Sequence, residues 1–244
     1  MSQKQRIDQL LVSRGLFESR ARAQAAIAAG LVRVNGAQAR KASDSVNLDA
    51  RVEAEEAFPW VSRGGVKLAH ALDHFQIDAA GRICLDVGSS TGGFTDVLLS
   101  RDAKRVIAVD SGRDQMRQRL RGDARIALHE ETDIRNFKSD GAIDASLIVV
   151  DVSFISLRLV LPALGVFAAP EADLIALIKP QFEVGRAHVG KKGIVTGESA
   201  RRQAIDDVSR AAEAAGWRVA DIIDSPIEGG DGNREYLMRA RRAS

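Results

Sequence analysis

Short, uninterrupted apolar runs alternate with helical stretches over most of the chain, and this alternation constrains the fold more than any other feature. Five runs are predicted to be strands: Ile83–Val87, Arg105–Val109, Ile126–His129, Ser146–Val150 and Asp173–Ile178. Strands that are apolar on both faces are typical of a parallel sheet covered by helices on both sides. The tail differs, because Val219–Asp224 and Glu235–Arg239 are joined by a short loop and predict an antiparallel pair at the sheet edge. The predicted fold class is therefore α/β, with a mostly parallel sheet.

The first 56 residues predict a separate, small α+β domain. Amphipathic spacing indicates a helix over Arg6–Arg14. Ser19 as an N-cap and Gly30 as a stop indicate a second helix over Arg20–Ala29. Alternating residues on either side of Asn35-Gly36 indicate a hairpin, since this dipeptide favours tight turns. The predicted boundaries are 1–56 for the small domain, 57–62 for a linker and 63–244 for the large domain.

The basic residues of the chain are concentrated near its start. The net charge is only +2, yet the first 41 residues carry eight basic and two acidic side chains. A basic segment of this kind fits a polyanionic partner such as a nucleic acid. The alternative is an ordinary solvated helical face.

Several classes of protein are excluded by the sequence. A single cysteine, Cys84, rules out an internal disulfide and a multi-cysteine metal site, and the four histidines are scattered without ligand spacing. Met1–Arg14 lacks the apolar core of a secretory signal, and charged residues interrupt the longest apolar stretch, Leu147–Ala169. We therefore expect a cytoplasmic protein that holds no metal and does not insert stably into a membrane.

The first strand of the large domain runs into a glycine-rich loop. This loop, Gly88–Gly93, precedes a helix, so its backbone is expected at the carboxyl end of the strand, where open α/β sheets bind ligands. Its spacing matches neither the dinucleotide fingerprint nor the phosphate-binding P-loop, which requires a lysine. Asp110 ends the second strand and suits a ribose diol, while Asp133 after the third is placed to meet an adenine amino group. Together these residues predict a nucleoside-type cofactor.

Two charged residues follow apolar strands at the same predicted edge of the sheet. Asp151 ends the fourth strand and Lys179 ends the fifth, and charges in such positions need a partner. One interpretation is an ion pair that stabilises the sheet edge. The other is a catalytic lysine. Because a free lysine titrates at about 10.4, that role requires burial or a nearby cation such as Lys67, with Glu235 orienting the cluster.

Specific motifs then resemble known families. The small domain resembles the alpha-L RNA-binding motif through Arg6-Ile7-Asp8, Gly15-Leu16, Ser19-Arg20, Gly30 and Val34-Asn35-Gly36. The rest of the chain resembles FtsJ-like methyltransferases through Val61-Ser62-Arg63-Gly64-Gly65-Val66-Lys67-Leu68, Asp86-Val87-Gly88-Ser89-Ser90-Thr91-Gly92-Gly93-Phe94-Thr95, Asp151-Val152-Ser153-Phe154-Ile155-Ser156-Leu157 and Lys179-Pro180-Gln181-Phe182-Glu183-Val184-Gly185. In this order the two parts are similar to the TlyA family, 2′-O-methyltransferases of ribosomal RNA that are also named hemolysins.

The resemblance implies a Rossmann-like class I methyltransferase, preceded by an alpha-L RNA-binding domain. Its expected reaction transfers a methyl group from S-adenosylmethionine to a ribose 2′-hydroxyl, with a cytidine of ribosomal RNA as the target. It places the catalytic tetrad on Lys67, Asp151, Lys179 and Glu235. It places the cofactor site on Asp86, Gly88, Ser89, Ser90, Thr91, Gly92, Gly93, Phe94, Asp110 and Asp133. One departure lies in the linker, where family members can carry Arg-x-Trp-Val and this chain has Phe58-Pro59-Trp60-Val61.

RNA contacts are expected mainly from basic residues of the small domain: Arg6, Arg14, Arg20, Arg22, Arg33, Arg40 and Lys41. The segment Gly185–Gly197 adds Arg186, Lys191 and Lys192, and is interpreted either as a lip of the active site or as an ordinary surface loop. We expect the protein to be a monomer and its partners to be ribosomal subunits. Two other functions stay open, a ribosome-assembly factor with an inactive methyltransferase fold and a membrane-active hemolysin. The glycine loop and the four tetrad positions favour the enzyme.

Overall fold

The chain divides into two compact units, Met1–Arg63 and Gly64–Ser244, in a computed structural model that describes residues 3–139, 141–190, 192–229 and 232–243. The first unit contains, in order, β1 (Lys4–Arg6), α1 (Ile7–Ser13), α2 (Arg20–Ala28), β2 (Val32–Val34), β3 (Ala37–Gln38), β4 (Ser45–Asn47) and β5 (Val52–Ala54). Strand β1 pairs with β4, and β2 lies between β3 and β5, all antiparallel. The predicted cap is present, since Ser19 Oγ accepts a hydrogen bond from the Arg22 backbone N–H at 3.4 Å.

The second unit is a single sheet covered by helices. Its elements are α3 (Gly64–Phe75), β6 (Ile83–Val87), α4 (Gly93–Ser100), β7 (Arg105–Val109), α5 (Gln118–Arg121), β8 (Ile126–His129), β9 (Ala145–Val150), α6 (Leu157–Leu164), β10 (Ala168–Ile178), α7 (Pro180–Glu183), α8 (Glu198–Ala214), β11 (Trp217–Asp224) and β12 (Tyr236–Arg242). The strand order is β11-β12-β10-β9-β6-β7-β8. Strand β12 runs antiparallel to both of its neighbours, and the other pairings are parallel. This arrangement confirms the predicted fold class.

The strands with continuous apolar sequence form the centre of the core. Ile148, Val149 and Val150 of β9 are completely buried, as expected for a strand with a helix layer on each side. Strand β10 begins five residues earlier than the sequence predicts, because its start pairs with β9 through an irregular register between Ala168 and Asp173. Within the described residues, no helix is both long enough and apolar enough to cross a membrane.

The topology brings the polar strand ends together. Strand β6 lies between β7 on one side and β9 on the other. The chain therefore first adds β7 and β8 on one side of β6 and then crosses over to add β9 on its other side. A crevice outside the carboxyl ends of the strands is the usual ligand site at such a switch point. Asp110, Asp151 and Lys179 directly follow β7, β9 and β10, and the glycine loop follows β6.

Candidate active site

A cleft of about 830 Å³ opens at this edge of the sheet. Gly88 and Ser90 line it from the glycine loop, Asp110 and Asp133 line it from the ends of β7 and β8, and Asp151 lines it from the end of β9. The cleft therefore joins the residues predicted to hold a nucleoside to a residue of the predicted tetrad.

The glycine loop approaches the chain after β9 too closely for a side chain. A Cβ atom at Gly88 would lie 2.4 Å from the carbonyl oxygen of Asp151, and Gly88 also has a φ of +82°, which favours glycine. Asp110 fixes the loop from the other side, because its Oδ2 accepts from the Ser90 backbone N–H at 2.8 Å and its Oδ1 from that of Gly112 at 2.6 Å. Each carboxylate oxygen keeps a second lone pair, so Asp110 can still accept from a ribose diol.

Asp133 stands at the cleft as an ionised acceptor. The Arg135 guanidinium binds its carboxylate with Nε at 3.0 Å from Oδ1 and a terminal nitrogen at 2.5 Å from Oδ2. This hydrogen bonding lowers the pKa of Asp133. An ionised carboxylate at this point suits the amino group of an adenine. Together with the glycine loop and Asp110, the residues present fit the nucleoside part of S-adenosylmethionine.

Other residues predicted to bind the cofactor lie away from the cleft. Asp86 and Phe94 are buried beneath the glycine loop, in β6 and α4, where Asp86 accepts a 2.6 Å hydrogen bond from Thr95 Oγ1. Neither side chain lines the cleft, and the expected contacts of Asp86 and Phe94 with the cofactor stay predictions. The remaining predicted positions belong to the loop itself or to the start of α4: Ser89, Thr91, Gly92 and Gly93.

Asp86 is a buried acid with an incomplete set of partners. Its Oδ1 accepts no hydrogen bond from any described residue. Burial raises the pKa of Asp86 to about 7, Asp151 adds to that rise, and the hydrogen bond from Thr95 opposes it. The carboxyl group is thus poised to hold a proton near neutral pH.

Replacing Asp86 by asparagine should therefore change how stability depends on pH. A free aspartate titrates at about 3.9, so between that value and about 7 the folded protein retains a proton that the unfolded chain releases. The resulting contribution to the free energy of unfolding is complete below about pH 4 and is lost as the pH rises to about 7. Urea unfolding from pH 4 to 8 should show wild type losing stability relative to Asp86→Asn. A difference that stays constant with pH would contradict the assignment.

The four predicted tetrad residues form two ion pairs. Lys179 Nζ lies 2.6 Å from Asp151 Oδ1, and Lys67 Nζ lies 2.5 Å from Glu235 Oε2. Ile178 pairs with Tyr236 at the end of the β10–β12 ladder. Lys179 and Glu235 are the next residues of the two strands beyond that pair. Lys67 is therefore paired with Glu235, and its expected role as a cation near Lys179 stays a prediction. The catalytic roles of the four residues stay predictions.

Two site residues were missed by sequence reasoning. Lys179 Nζ donates a 2.7 Å hydrogen bond to Ser153 Oγ. Glu183 is buried and accepts from Ser156 Oγ at 2.5 Å and from the Leu157 backbone N–H at 2.8 Å. Burial is the main cause that raises the pKa of Glu183. Ser153 and Glu183 both lie in motifs that carry the family resemblance. Neither motif indicates which side chains contact each other.

The predicted RNA-binding residues of the first unit fall into distinct groups. Arg33, Arg40 and Lys41 are exposed. Arg6 and Arg20 are also exposed but both bind the buried Asp8 carboxylate, whose pKa they lower. These residues can face a polyanion. Arg14 is held by the chain itself, because its guanidinium donates to the carbonyl oxygens of Leu48 and Ala50.

Arg22 is a structural residue, which corrects its assignment as an RNA contact. Its side chain is 9% exposed, forms an ion pair with Glu56 at 2.9 Å, and stacks over the Phe58 ring at 5.1 Å. It also donates to the carbonyl oxygens of Phe58, at 3.3 Å, and Trp60. Arg22 thus attaches α2 to the linker at the point where this chain has Phe58-Pro59-Trp60-Val61.

Arg22→Ala should affect stability, whereas Arg33→Ala should affect RNA binding. Loss of Arg22 is expected to reduce the stability of the first unit by about 1.5–3 kcal/mol, because charge-assisted hydrogen bonds are removed. Loss of the exposed Arg33 should leave stability unchanged and lower the salt slope of RNA binding by about 1. Thermal unfolding and RNA affinity at several salt concentrations check both effects. An equal fall in salt slope for Arg22→Ala, measured where it is folded, would restore Arg22 as a phosphate contact.

The segment Gly185–Gly197 is attached to the turn that precedes β12. The buried Asn233 accepts from the Val195 backbone N–H and donates to the Gly193 carbonyl oxygen, both at 2.9 Å. Arg186 and Lys192 are exposed, and Lys191 lies outside the described residues. The role of this segment as a lip stays a prediction.

Comparisons with known proteins agree with this arrangement. Residues 60–242 match the family model of FtsJ-like methyltransferases, and residues 5–52 match that of the S4 domain. The chain is 44% identical over 248 residues to the 16S/23S rRNA (cytidine-2′-O)-methyltransferase TlyA of Mycobacterium tuberculosis, with 99% of this chain and 91% of that protein covered. It is 37% identical to Hemolysin A of Brachyspira hyodysenteriae, with 95% and 98% covered.

Solved structures give the same result. A Streptococcus thermophilus protein described as a candidate hemolysin is 38% identical and superposes with a TM-score of 0.77, covering all of this chain and 90% of its own. The expected cofactor, S-adenosylmethionine, is confirmed by the family of the large domain. The chain belongs to the TlyA family of methyltransferases, in which an S4 domain precedes an FtsJ-like domain.

Proposed function

We propose that the protein uses S-adenosylmethionine to methylate a ribose 2′-hydroxyl of ribosomal RNA, with a cytidine as the target nucleoside. The observation that carries this proposal is the Lys179–Asp151 ion pair of 2.6 Å at the edge of the cleft that also holds Gly88 and Asp110. A positively charged side chain is thereby held beside a nucleoside-sized site. The names of the relatives from Mycobacterium tuberculosis support the choice of substrate and nucleoside.

The residues of the cleft divide the work of the reaction. S-adenosylmethionine supplies a methyl group that its sulfonium already activates, so the protein mainly has to position the acceptor. Asp110 would bind the ribose of the cofactor and Asp133 its adenine. Lys179 would donate a hydrogen bond that orients the 2′-oxygen towards the methyl group, with Asp151 balancing its charge. The proton that the hydroxyl loses on methylation would pass to water in the cleft. The Lys67–Glu235 pair would complete the charged network beside Lys179 and Asp151.

The S4 domain would supply most of the affinity for RNA. Its exposed basic residues can contact phosphates, which gives binding that depends on salt and follows the shape of the RNA. Asp8 would hold Arg6 and Arg20 in fixed orientations on that surface. We further propose that the protein acts as a monomer in the cytoplasm, on ribosomal subunits.

Transfer of labelled methyl groups to separated ribosomal subunits and to naked ribosomal RNA tests the function directly. Label in RNA, followed by nuclease mapping to a 2′-O-methylated cytidine, is the expected result. Label at a base nitrogen or carbon would contradict the assigned acceptor. Measurable cofactor binding without label in any of these substrates would favour a ribosome-assembly factor.

A further inference from the structure

Lys179 has two partners that differ in geometry. Asp151 Oδ1 lies 2.6 Å from Nζ, yet the two groups are not aligned for a hydrogen bond, and this buried oxygen accepts none from the described residues. The aligned hydrogen bond of 2.7 Å goes instead from Nζ to Ser153 Oγ. Asp151 therefore supplies charge, whereas Ser153 sets the direction of the ammonium group.

We propose that Ser153 is a positioning residue that aims Lys179 at the acceptor oxygen. The proposal rests on the proposed function, since it assigns Ser153 a role in that reaction. A lysine ammonium ends a flexible four-carbon stem and carries three rotatable donors, so a charge partner alone leaves its direction loosely defined. A hydroxyl acceptor on one N–H restricts the rotation of the other two. Ser153 also lines the cleft, so its hydroxyl holds Lys179 from the side of the cleft.

Ser153 itself is held from both ends of its loop. On one side, the Asp151 backbone N–H donates to the Val87 carbonyl oxygen at 2.9 Å. On the other side, Glu183 binds the Ser156 hydroxyl and the Leu157 backbone N–H. Glu183 belongs to α7, which begins directly after Lys179, so one carboxylate joins the segment that carries the serine to the segment that carries the lysine.

The backbone after Ser153 adopts a conformation that a bulky residue rarely takes. Phe154 has a φ of +64°, in the left-handed region. Such a conformation costs about 1–3 kcal/mol and persists where surrounding contacts enforce it, often at functional sites. It turns the chain sharply between Ser153 and the Glu183 contacts. The strained turn and the carboxylate anchor together fix the place of the hydroxyl.

Ser153→Ala and Ser153→Thr test this role, with Ser100→Ala as a matched control. Ser100 Oγ donates to the Val97 carbonyl oxygen in α4 and is outside the cleft lining. We expect Ser153→Ala to lower kcat by about 10- to 100-fold, the size of effect that misplacement of a reacting group produces. KM for S-adenosylmethionine should stay unchanged. Ser153→Thr should restore most of kcat, because it returns the hydroxyl, and Ser100→Ala should match wild type. A kcat of Ser153→Ala equal to that of wild type would overturn the proposal.

A second measurement does not depend on activity. In protein labelled with ¹⁵N-lysine, the Nζ signal of Lys179, assigned with Lys179→Arg, reports how fast its hydrogens exchange with water. Wild type and Ser153→Thr should show slow exchange, and Ser153→Ala fast exchange. Equal exchange in all three would overturn the proposal. If wild type transfers no methyl group to ribosomal RNA, the proposed function fails, while this exchange measurement still decides whether Ser153 orders Lys179.

Discussion

Lys179→Ala should lose almost all methyl transfer while it still binds S-adenosylmethionine. The ammonium group sits at the end of β10, 2.6 Å from Asp151 Oδ1 and 2.7 Å from Ser153 Oγ. The residues assigned to the cofactor in the cleft follow β6, β7 and β8, so we expect its binding not to depend on the lysine. A group that handles the acceptor proton or orients the acceptor oxygen contributes about 10²–10⁴-fold to the rate. The expected fall in the single-turnover rate is of that size.

Single-turnover kinetics and calorimetry on the same preparations separate the two effects. Lys104→Ala is the matched control, because Lys104 is an exposed lysine beside the amino end of β7, away from the cleft. It should transfer methyl groups at the wild-type rate. Thermal unfolding shows whether Lys179→Ala is folded at the assay temperature, since its loss leaves Asp151 unpaired. Near-normal turnover of folded Lys179→Ala would remove Lys179 from the mechanism.

The sheet and its functional edge were predictable from the sequence because they depend on local patterns. A strand buried on both faces needs a continuous apolar run, and Ile148, Val149 and Val150 satisfy that need within a few residues. The carboxyl ends of parallel strands meet at one edge, so the positions of Asp110, Asp151 and Lys179 follow from the order of the strands.

The partners of individual side chains were not predictable in the same way. Arg22 looks like a surface residue in a basic helix, and its burial depends on Glu56, Phe58 and Trp60, more than 30 residues away in sequence. Lys179 donates to Ser153, the residue before a left-handed turn at Phe154, and no residue preference indicates either the contact or the turn. Contacts of this kind are decided by tertiary packing, which a one-dimensional pattern does not contain.

Removing either member of the Lys67–Glu235 pair should destabilise the large unit strongly. The two side chains are only 8% and 3% exposed, so each charge depends on the other rather than on water. Breaking a buried ion pair leaves an uncompensated charge and costs about 3–5 kcal/mol. Lys67→Met and Glu235→Leu are each expected to lower the free energy of unfolding by about this amount, as measured by urea denaturation.

The double variant Lys67→Met/Glu235→Leu separates stability from catalysis. Apolar residues of similar volume can replace a buried ion pair with little loss of stability, so this variant should regain most of what each single change removes. If the pair only stabilises the end of β12, methyl transfer should return together with the fold. If its charges act in the reaction, as the tetrad hypothesis requires, the double variant should be stable and still inactive. We expect the second result, because Glu235 immediately precedes Tyr236, the residue paired with Ile178, and Ile178 immediately precedes Lys179. A stable and active double variant would exclude Lys67 and Glu235 from catalysis and leave Lys179 and Asp151 as the catalytic residues.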